Sequence, residues 1–225
     1  MLEHAHQQAR ARWLEDGEAE LLQALYFHVV FTLPDELAPL ALQNPRAIYG
    51  LLFRAASCTL SQIARDPKHL GAEIGFLAVL HTWGQKLGLH PHVHCLVPGG
   101  GISPGGSRWI SCRKGFFLPV KVLSRRFRNL FLQMLRKAFD KGKLSFHGKL
   151  SHLARQGRWQ EFLRPLQQRE WVVYAKPPFQ APGEYSSTWP ATPTGWPSPI
   201  GACSASIKAG SPSAARTTEQ GAGAP

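Results

Sequence analysis

Cysteine is scarce in this chain of 225 residues, and the few cysteines lie far apart. No Cys-x-x-Cys pair occurs, so the sequence gives no sign of a zinc ribbon or of a disulfide framework. We expect the four thiols to be buried and reduced. They are Cys58, Cys95, Cys112 and Cys203.

Long apolar runs are also missing. No segment approaches the roughly 20 apolar residues that a helix needs to span a bilayer. The early acidic residues Glu3, Glu15 and Asp16 make the N-terminus unlike a signal peptide. These absences predict a cytoplasmic protein with no membrane partner.

Acidic residues are few, because 14 Asp and Glu stand against 26 Lys and Arg, giving a net charge of +12. This surplus favours a polyanionic partner. Nucleic acid is the leading candidate, since phosphate neutralisation dominates its binding to proteins. A soluble protein that is merely basic is the alternative.

Residues 180–225 lack helical and strand periodicity, and Ala, Pro, Ser, Gly and Thr fill 34 of these 46 positions. Such a segment buries too little apolar surface to offset its ordering entropy, so we expect a disordered tail. Its charges cancel, and the whole positive surplus therefore lies in residues 1–179.

Residues 1–179 alternate between strand and helix patterns, and we divide them into an N-terminal helical segment (1–25) and a core (26–179). Apolar alternation and β-branched runs predict strands at 26–33, 74–83, 92–97, 109–111, 116–120 and 171–174. Amphipathic spacing predicts helices at 8–24, 45–64, 121–141 and 159–168, with a short helix capped by Asp35. This order favours an α+β fold, in which helices pack on an antiparallel sheet.

Two histidines, His92 and His94, lie one residue apart in a strand-like run. Alternate residues of a strand share a face, so these imidazoles are roughly 7 Å apart at their Cα atoms and can bind one divalent metal. If strand 74–83 pairs antiparallel with strand 92–97, His81 is the preferred third ligand. Gln85 and His28 are the alternatives.

Imidazole-rich coordination suits Mn²⁺ or Zn²⁺ better than Mg²⁺, although a weakly held Mg²⁺ is compatible with it. Zinc hydrolases with a related motif place Asp two residues after the second histidine, where this chain has Leu96. A water-activating zinc hydrolase is therefore disfavoured. We expect a divalent ion, Mg²⁺ or Mn²⁺.

The predicted helix 121–141 combines one apolar stripe with strongly positive faces, and Asp140 is its only carboxylate. A surface that serves solubility alone usually mixes charges of both signs. We therefore predict that this helix binds DNA phosphates. The candidate residues are Arg125, Arg126, Arg128, Arg136, Lys137 and Lys141.

The run His92-Val93-His94 resembles the His-hydrophobe-His motif of HUH single-strand endonucleases. The stretches FHVVFTLPDELAPL, LHTWGQKLGLHPHVHCLVPGGGIS and EWVVYAKPPF resemble the two-tyrosine transposases of rolling-circle insertion sequences. The resemblance covers residues 8–179 and implies an HUH-endonuclease-like core with His92 and His94 as metal ligands. It also implies a metal-dependent nickase that binds single-stranded DNA at transposon ends and forms a 5′-phosphotyrosine.

The chain departs from this family pattern in two places. A cysteine-rich zinc-binding module usually comes first, so residues 1–25 are interpreted as the helical remnant that follows it. The family's tyrosine-bearing helix would follow YAKPPF, but prolines after Gln180 exclude a regular helix. We therefore expect a truncated, frameshifted and inactive copy. Tyr174 and Tyr185 are the remaining nucleophile candidates, although the apolar strand around Tyr174 predicts that its ring lies in the core.

Two other functions are consistent with these features. The chain could be a noncatalytic basic DNA-binding protein that keeps the sheet and the positive helix. It could also be a metal-dependent hydrolase that uses His81, His92 and His94 on another substrate.

Overall fold

The computed structural model describes residues 25–83, 88–115, 117–176 and 179–180. The predicted N-terminal helix, the alternative ligand Gln85 and residues 181–225 of the predicted disordered tail lie outside these residues. Gln180, the first residue of that predicted tail, ends a short strand instead. The strands are β1 (Leu25–Thr32), β2 (Leu77–Trp83), β3 (Leu89–Pro98), β4 (Gly100–Ile102), β5 (Trp109–Ser111), β6 (Val173–Ala175) and β7 (Phe179–Gln180). The helices are α1 (Ala38–Gln43), α2 (Pro45–Arg65), α3 (Val120–Asp140) and α4 (Gln156–Gln168), with 3₁₀ turns at Asp35–Leu37 and Gly148–Ala154.

The main sheet is antiparallel and has the order β2-β3-β1-β6, with β7 pairing with the start of β1. Strands β4 and β5 form a separate hairpin. Strand β1 is rich in β-branched and aromatic residues, which suit a pleated surface packed on its neighbours. The predicted α+β fold, with helices packed on an antiparallel sheet, is confirmed.

Helices α2 and α3 cover one face of this sheet. Phe31 of β1 is fully buried there, and its ring centroid lies 5.0 Å from that of Phe127 in α3. On β3, Val93 and Cys95 alternate onto the same face and are also fully buried. The strand period of two therefore sends the intervening residues of β1 and β3 to the opposite face.

Helix α3 ends where the sequence supplies a glycine. Gly142 has φ +64°, a left-handed conformation that glycine adopts without steric cost. Its N–H donates to the carbonyl of Phe139, and the N–H of Lys143 donates to the carbonyl of Ala138. These two bonds satisfy carbonyls that the helix end would otherwise leave without partners.

Two local predictions are wrong. No strand occupies residues 117–120, because the chain passes through Pro119 directly into α3 at Val120. The turn after β1 is preceded by Pro34 and has no side-chain cap, while the carboxylate of Asp35 contacts His90 instead.

None of the described helices is long and apolar enough to cross a membrane.

The glycines of β4 are required by close packing. A Cβ added to Gly101 would lie 2.4 Å from the carbonyl oxygen of Glu73, which pairs with the next residue, Ile102. A Cβ on Gly105, in the following turn, would meet no atom within 4 Å. Close packing against the backbone of Glu73 therefore explains why position 101 is a glycine, and no bound ligand is needed to explain it.

We expect Gly101→Ala to destabilise the protein by about 1–3 kcal/mol, because overpacking forces backbone shifts. Gly105→Ala is the matched control and should change the free energy of unfolding by less than about 0.5 kcal/mol. Urea unfolding of both variants measures this difference. Equal stabilities would show that the strand does not pass this close to Glu73.

Candidate metal centre

The sheet face opposite α2 and α3 carries His28, His81, His92 and His94, and we call it the histidine face. The residues of this face lie in three rows that run across the strands. The strand registers define these rows, together with the main-chain hydrogen bonds of Lys176 to His28 and of Thr32 to Val172. Read from β2 through β3 and β1 to β6, the rows are Leu77, Leu96, His28 and Lys176; Val79, His94, Val30 and Tyr174; and His81, His92, Thr32 and Val172.

His81, His92 and His94 come together at one corner of this face. Their ligand nitrogens all lie within 4.8 Å of one another. His81 is the register partner of His92 on the neighbouring strand, while His92 and His94 are two residues apart on β3. The structure therefore brings together the three residues that the sequence predicted as a metal site.

This arrangement fits a divalent ion. Three imidazole nitrogens that share one ion at a bond length of ~2.1 Å are roughly 3–3.5 Å apart, so small side-chain rotations would bring the set to bonding distance. Two ligands come from one strand and the third from its hydrogen-bonded neighbour, and the sheet thus fixes their spacing.

The orientation of His92 is set by a main-chain contact. Its Nδ1 lies 2.6 Å from the carbonyl oxygen of His90, which can only accept a hydrogen bond. Nδ1 must therefore carry the proton, and Nε2 is the nitrogen that would ligate a metal. Such outer contacts commonly fix the tautomer of a ligating histidine.

His28, which the sequence offered as an alternative third ligand, lies beside His94 and outside the triad. Its Nε2 lies 2.6 Å from Nδ1 of His94, and both rings are buried. If His94 ligates through Nε2, its Nδ1–H must donate to His28, whose own proton then resides on Nδ1. His28 is therefore placed to orient His94 rather than to complete the triad.

Burial keeps these imidazoles neutral. Desolvation lowers the pKa of His81 and His28 to about 4 and that of His94 to about 2, with further lowering from neighbouring histidines. Burial also lowers the pKa of His92, although its bond to the His90 carbonyl opposes this. Neutral imidazole is the form that binds metal, so the cluster is ready to ligate at neutral pH.

Tyr174 does not lie in the core, and the prediction of a buried ring is wrong. Its side chain is 52% exposed on the histidine face, because β6 has the register that places Val173 under the helices instead. Tyr185, the other nucleophile candidate, lies outside the described residues.

The basic residues predicted to bind DNA belong to α3, which covers the other side of the sheet, except Lys141, which directly follows the last residue of that helix. Arg126 donates to Oε1 of Gln62 at 2.8 Å, and Arg128 donates to the carbonyl of Arg169 at 2.8 Å. These two side chains tie α3 to its neighbours. Exposed positive charge remains at Arg125, Arg136, Lys137 and Lys141.

One charged neighbour of the cluster was not singled out from the sequence. The N–H of Lys176 donates to the carbonyl of His28 at 2.9 Å, and its half-buried side chain shares the histidine face. Lys176 lies in the family-like stretch EWVVYAKPPF, two residues after Tyr174, but this place does not show which side chains it meets until the pairing of β6 with β1 is known.

Comparison with known proteins connects this site to transposases. Residues 75–186 match the model of a family described as "Putative transposase". Putative transposase y4qJ of Sinorhizobium fredii is 63% identical over 174 residues, which are 77% of this chain and 44% of that protein. The transposase for insertion sequence element IS801 of Pseudomonas savastanoi pv. phaseolicola is 30% identical over 74% of this chain and 38% of its own length.

The chain thus spans less than half the length of these curated relatives. The resemblance to transposases predicted from the sequence is confirmed. Among solved structures, a metal-bound conjugative relaxase TrwC in complex with oriT DNA aligns with a TM-score of 0.40 and 14% identity. That alignment covers 50% of this chain and 43% of the relaxase, and the likeness is distant.

We expect His28→Phe to weaken Mn²⁺ binding about 10- to 100-fold, because the substitution removes the acceptor that orients His94 while keeping an aromatic ring. His28→Gln retains an acceptor and should lose less. Isothermal titration with Mn²⁺ measures both affinities.

His152→Phe removes an exposed histidine of the helical layer and is the control. Equal Mn²⁺ affinities for wild-type protein and His28→Phe would contradict the orienting role of His28.

Proposed function

Because residues 75–186 of this chain match the model of the putative transposase family, we propose that the protein acts in DNA transposition, as a metal-dependent DNA-nicking transposase of the rolling-circle insertion-sequence type. The observation that carries the proposal is the set of three neutral imidazoles on one sheet face within a family-matched segment. The substrate we propose is single-stranded DNA at transposon ends.

Each histidine has a distinct part in this proposal. His81, His92 and His94 would hold the ion, while His28 and the carbonyl of His90 keep two of these rings in the ligating tautomer. A divalent ion bound there would polarise the scissile phosphate as a Lewis acid. We propose Mn²⁺ or Mg²⁺, and the nitrogen-only donor set favours Mn²⁺ of the two.

The nucleophile in such a reaction would be a tyrosine hydroxyl, whose oxygen attacks phosphorus and leaves a 5′-phosphotyrosine and a 3′-hydroxyl. The candidates in this chain are Tyr174 and Tyr185. The proline-rich sequence after Gln180 is unsuited to the family's tyrosine helix. This composition favours a second candidate function, a noncatalytic protein that binds DNA without cutting it.

Covalent capture separates the two functions. The full chain is incubated with Mn²⁺ and a single-stranded oligonucleotide that bears a transposon end and a different label at each end. On denaturing gels the 5′ label reports the released fragment, and the 3′ label reports the protein–DNA adduct. A nicking transposase forms an adduct that Tyr174→Phe or Tyr185→Phe abolishes, and it loses cleavage in His92→Ala. Binding without adduct supports the noncatalytic function, whereas absence of binding contradicts both.

The exposed basic residues of α3 provide a separate prediction. We propose that Arg125, Arg136, Lys137 and Lys141 contact phosphates outside the cleavage site, since α3 lies on the other side of the sheet. Each contact removed should lower the slope of log K against log salt by about 0.7 for a single strand.

Replacing Arg136 and Lys137 by Gln should therefore weaken binding about equally for all DNA sequences and reduce the salt slope by about 1.4. Fluorescence anisotropy between low and moderate salt measures the slope. Arg158→Gln is the matched control, because the charge of this arginine is already paired with the carboxylate of Glu161. An unchanged slope in the double variant would place the phosphate contacts elsewhere.

A further inference from the structure

We propose that Tyr174 and Lys176 form a nucleotide-binding subsite beside the histidine cluster, in which Lys176 pairs with a phosphate and the ring of Tyr174 stacks on an unpaired base. This inference rests on the proposed function and deepens it, because it names the residues that hold the strand next to the metal centre. It assigns Tyr174 a binding role that needs its ring and does not need its hydroxyl.

Lys176 is fixed beside the cluster by main-chain pairing. Its N–H donates to the carbonyl of His28 at 2.9 Å, so the two residues are neighbours across β6 and β1. Its positive charge contributes to the lowered pKa of both His28 and His94, which agrees with an ammonium held close to those rings. Lys176 thus lies on the same sheet face as the histidine cluster, next to His28, which contacts His94.

The surroundings of Lys176 favour an anion. The twelve positions that define the histidine face include no carboxylate, and Lys176 is their only residue with a permanent charge. None of the ion pairs between described side chains involves Lys176. A half-buried ammonium next to neutral imidazoles is better stabilised when an anionic group joins it, and a nucleic-acid phosphate supplies one.

Tyr174 supplies an aromatic surface on the same strand. It is 52% exposed, and the adjacent Val172 on this face is 64% exposed, so the ring is open on one side. Bases of single strands stack on such rings with little dependence on sequence. An aromatic ring two residues from a cation on one strand edge is an arrangement that can hold a base and a phosphate together.

The distance to the metal centre suits one strand of nucleic acid. Tyr174 and His94 are both register partners of Val30, on opposite sides of β1. Their Cα atoms are therefore about 10 Å apart, which is two strand spacings. A single strand can contact both without leaving the face.

The test uses the full chain and a labelled single-stranded oligonucleotide, with anisotropy measured in EDTA so that metal does not contribute to binding. Tyr174→Ala should raise Kd about 5- to 150-fold, the range that alanine substitution at stacking rings produces. Tyr174→Phe should bind like wild type. An oligonucleotide containing 2-aminopurine should lose fluorescence on binding to wild type and Tyr174→Phe, and not on binding to Tyr174→Ala.

The charge of Lys176 is tested in the same assay. Lys176→Gln should weaken binding and lower the salt slope by about 0.7, while Lys176→Arg should restore both. Lys68→Gln removes an exposed lysine outside the histidine face and should change neither quantity. Circular dichroism confirms that each variant is folded.

Outcomes for the subsite and for the proposed function are distinguishable. If wild-type protein binds the strand and both Tyr174→Ala and Lys176→Gln bind within twofold of it, the subsite is wrong and the proposed function stands. If Tyr174→Phe abolishes a protein–DNA adduct, the hydroxyl is the functional group and the stacking role is overturned. If wild-type protein fails to bind single-stranded DNA, the subsite and the proposed function are both wrong.

Discussion

The pleat of β3 at the centre of the sheet is the constraint on which the candidate site depends. It sends Val93, Cys95 and Val97 into the core, where they are fully buried, and leaves His92 and His94 on the other face. A shift of one residue in register would bury the histidines under the helices and expose the apolar residues. The free energy that fixes the core therefore also fixes the spacing of these two candidate metal ligands.

The neighbouring strands convert this spacing into a site. Strand β2 adds His81 directly opposite His92, and β1 adds His28 in contact with His94. Desolvation holds all four imidazoles neutral, so a cluster that would repel itself if protonated is stable as a set of neutral donors and acceptors. The same sheet brings an aromatic ring and an ammonium from β6 to the histidine face, while the arginine-rich helix lies on the opposite side.

Much of this arrangement could be predicted from the sequence, because its signals are local. The alternation in YFHVVFTL and around His92 predicted the two central strands, and their short connection to β2 predicted the pairing that places His81 in the triad. The amphipathic spacing of α2 and α3 predicted both helices within one or two residues.

The rest depends on long-range register, which no local pattern encodes. Tyr174 was expected in the core because its strand is apolar, yet pairing of β6 with β1 turns Val173 inward and Tyr174 outward. The same pairing places Lys176 beside His28. The contact between His28 and His94 is diagonal across two strands that are 66 residues apart in sequence, so His28 could only be named as a possible ligand.

Anomalous diffraction from crystals of Mn²⁺-loaded protein would test the metal centre most directly. We predict one anomalous peak on the histidine face, at bonding distance from a nitrogen of His81, His92 and His94, with His28 in contact with His94 and not with the ion. A peak bound by other residues, or no peak on this face at saturating Mn²⁺, would contradict it.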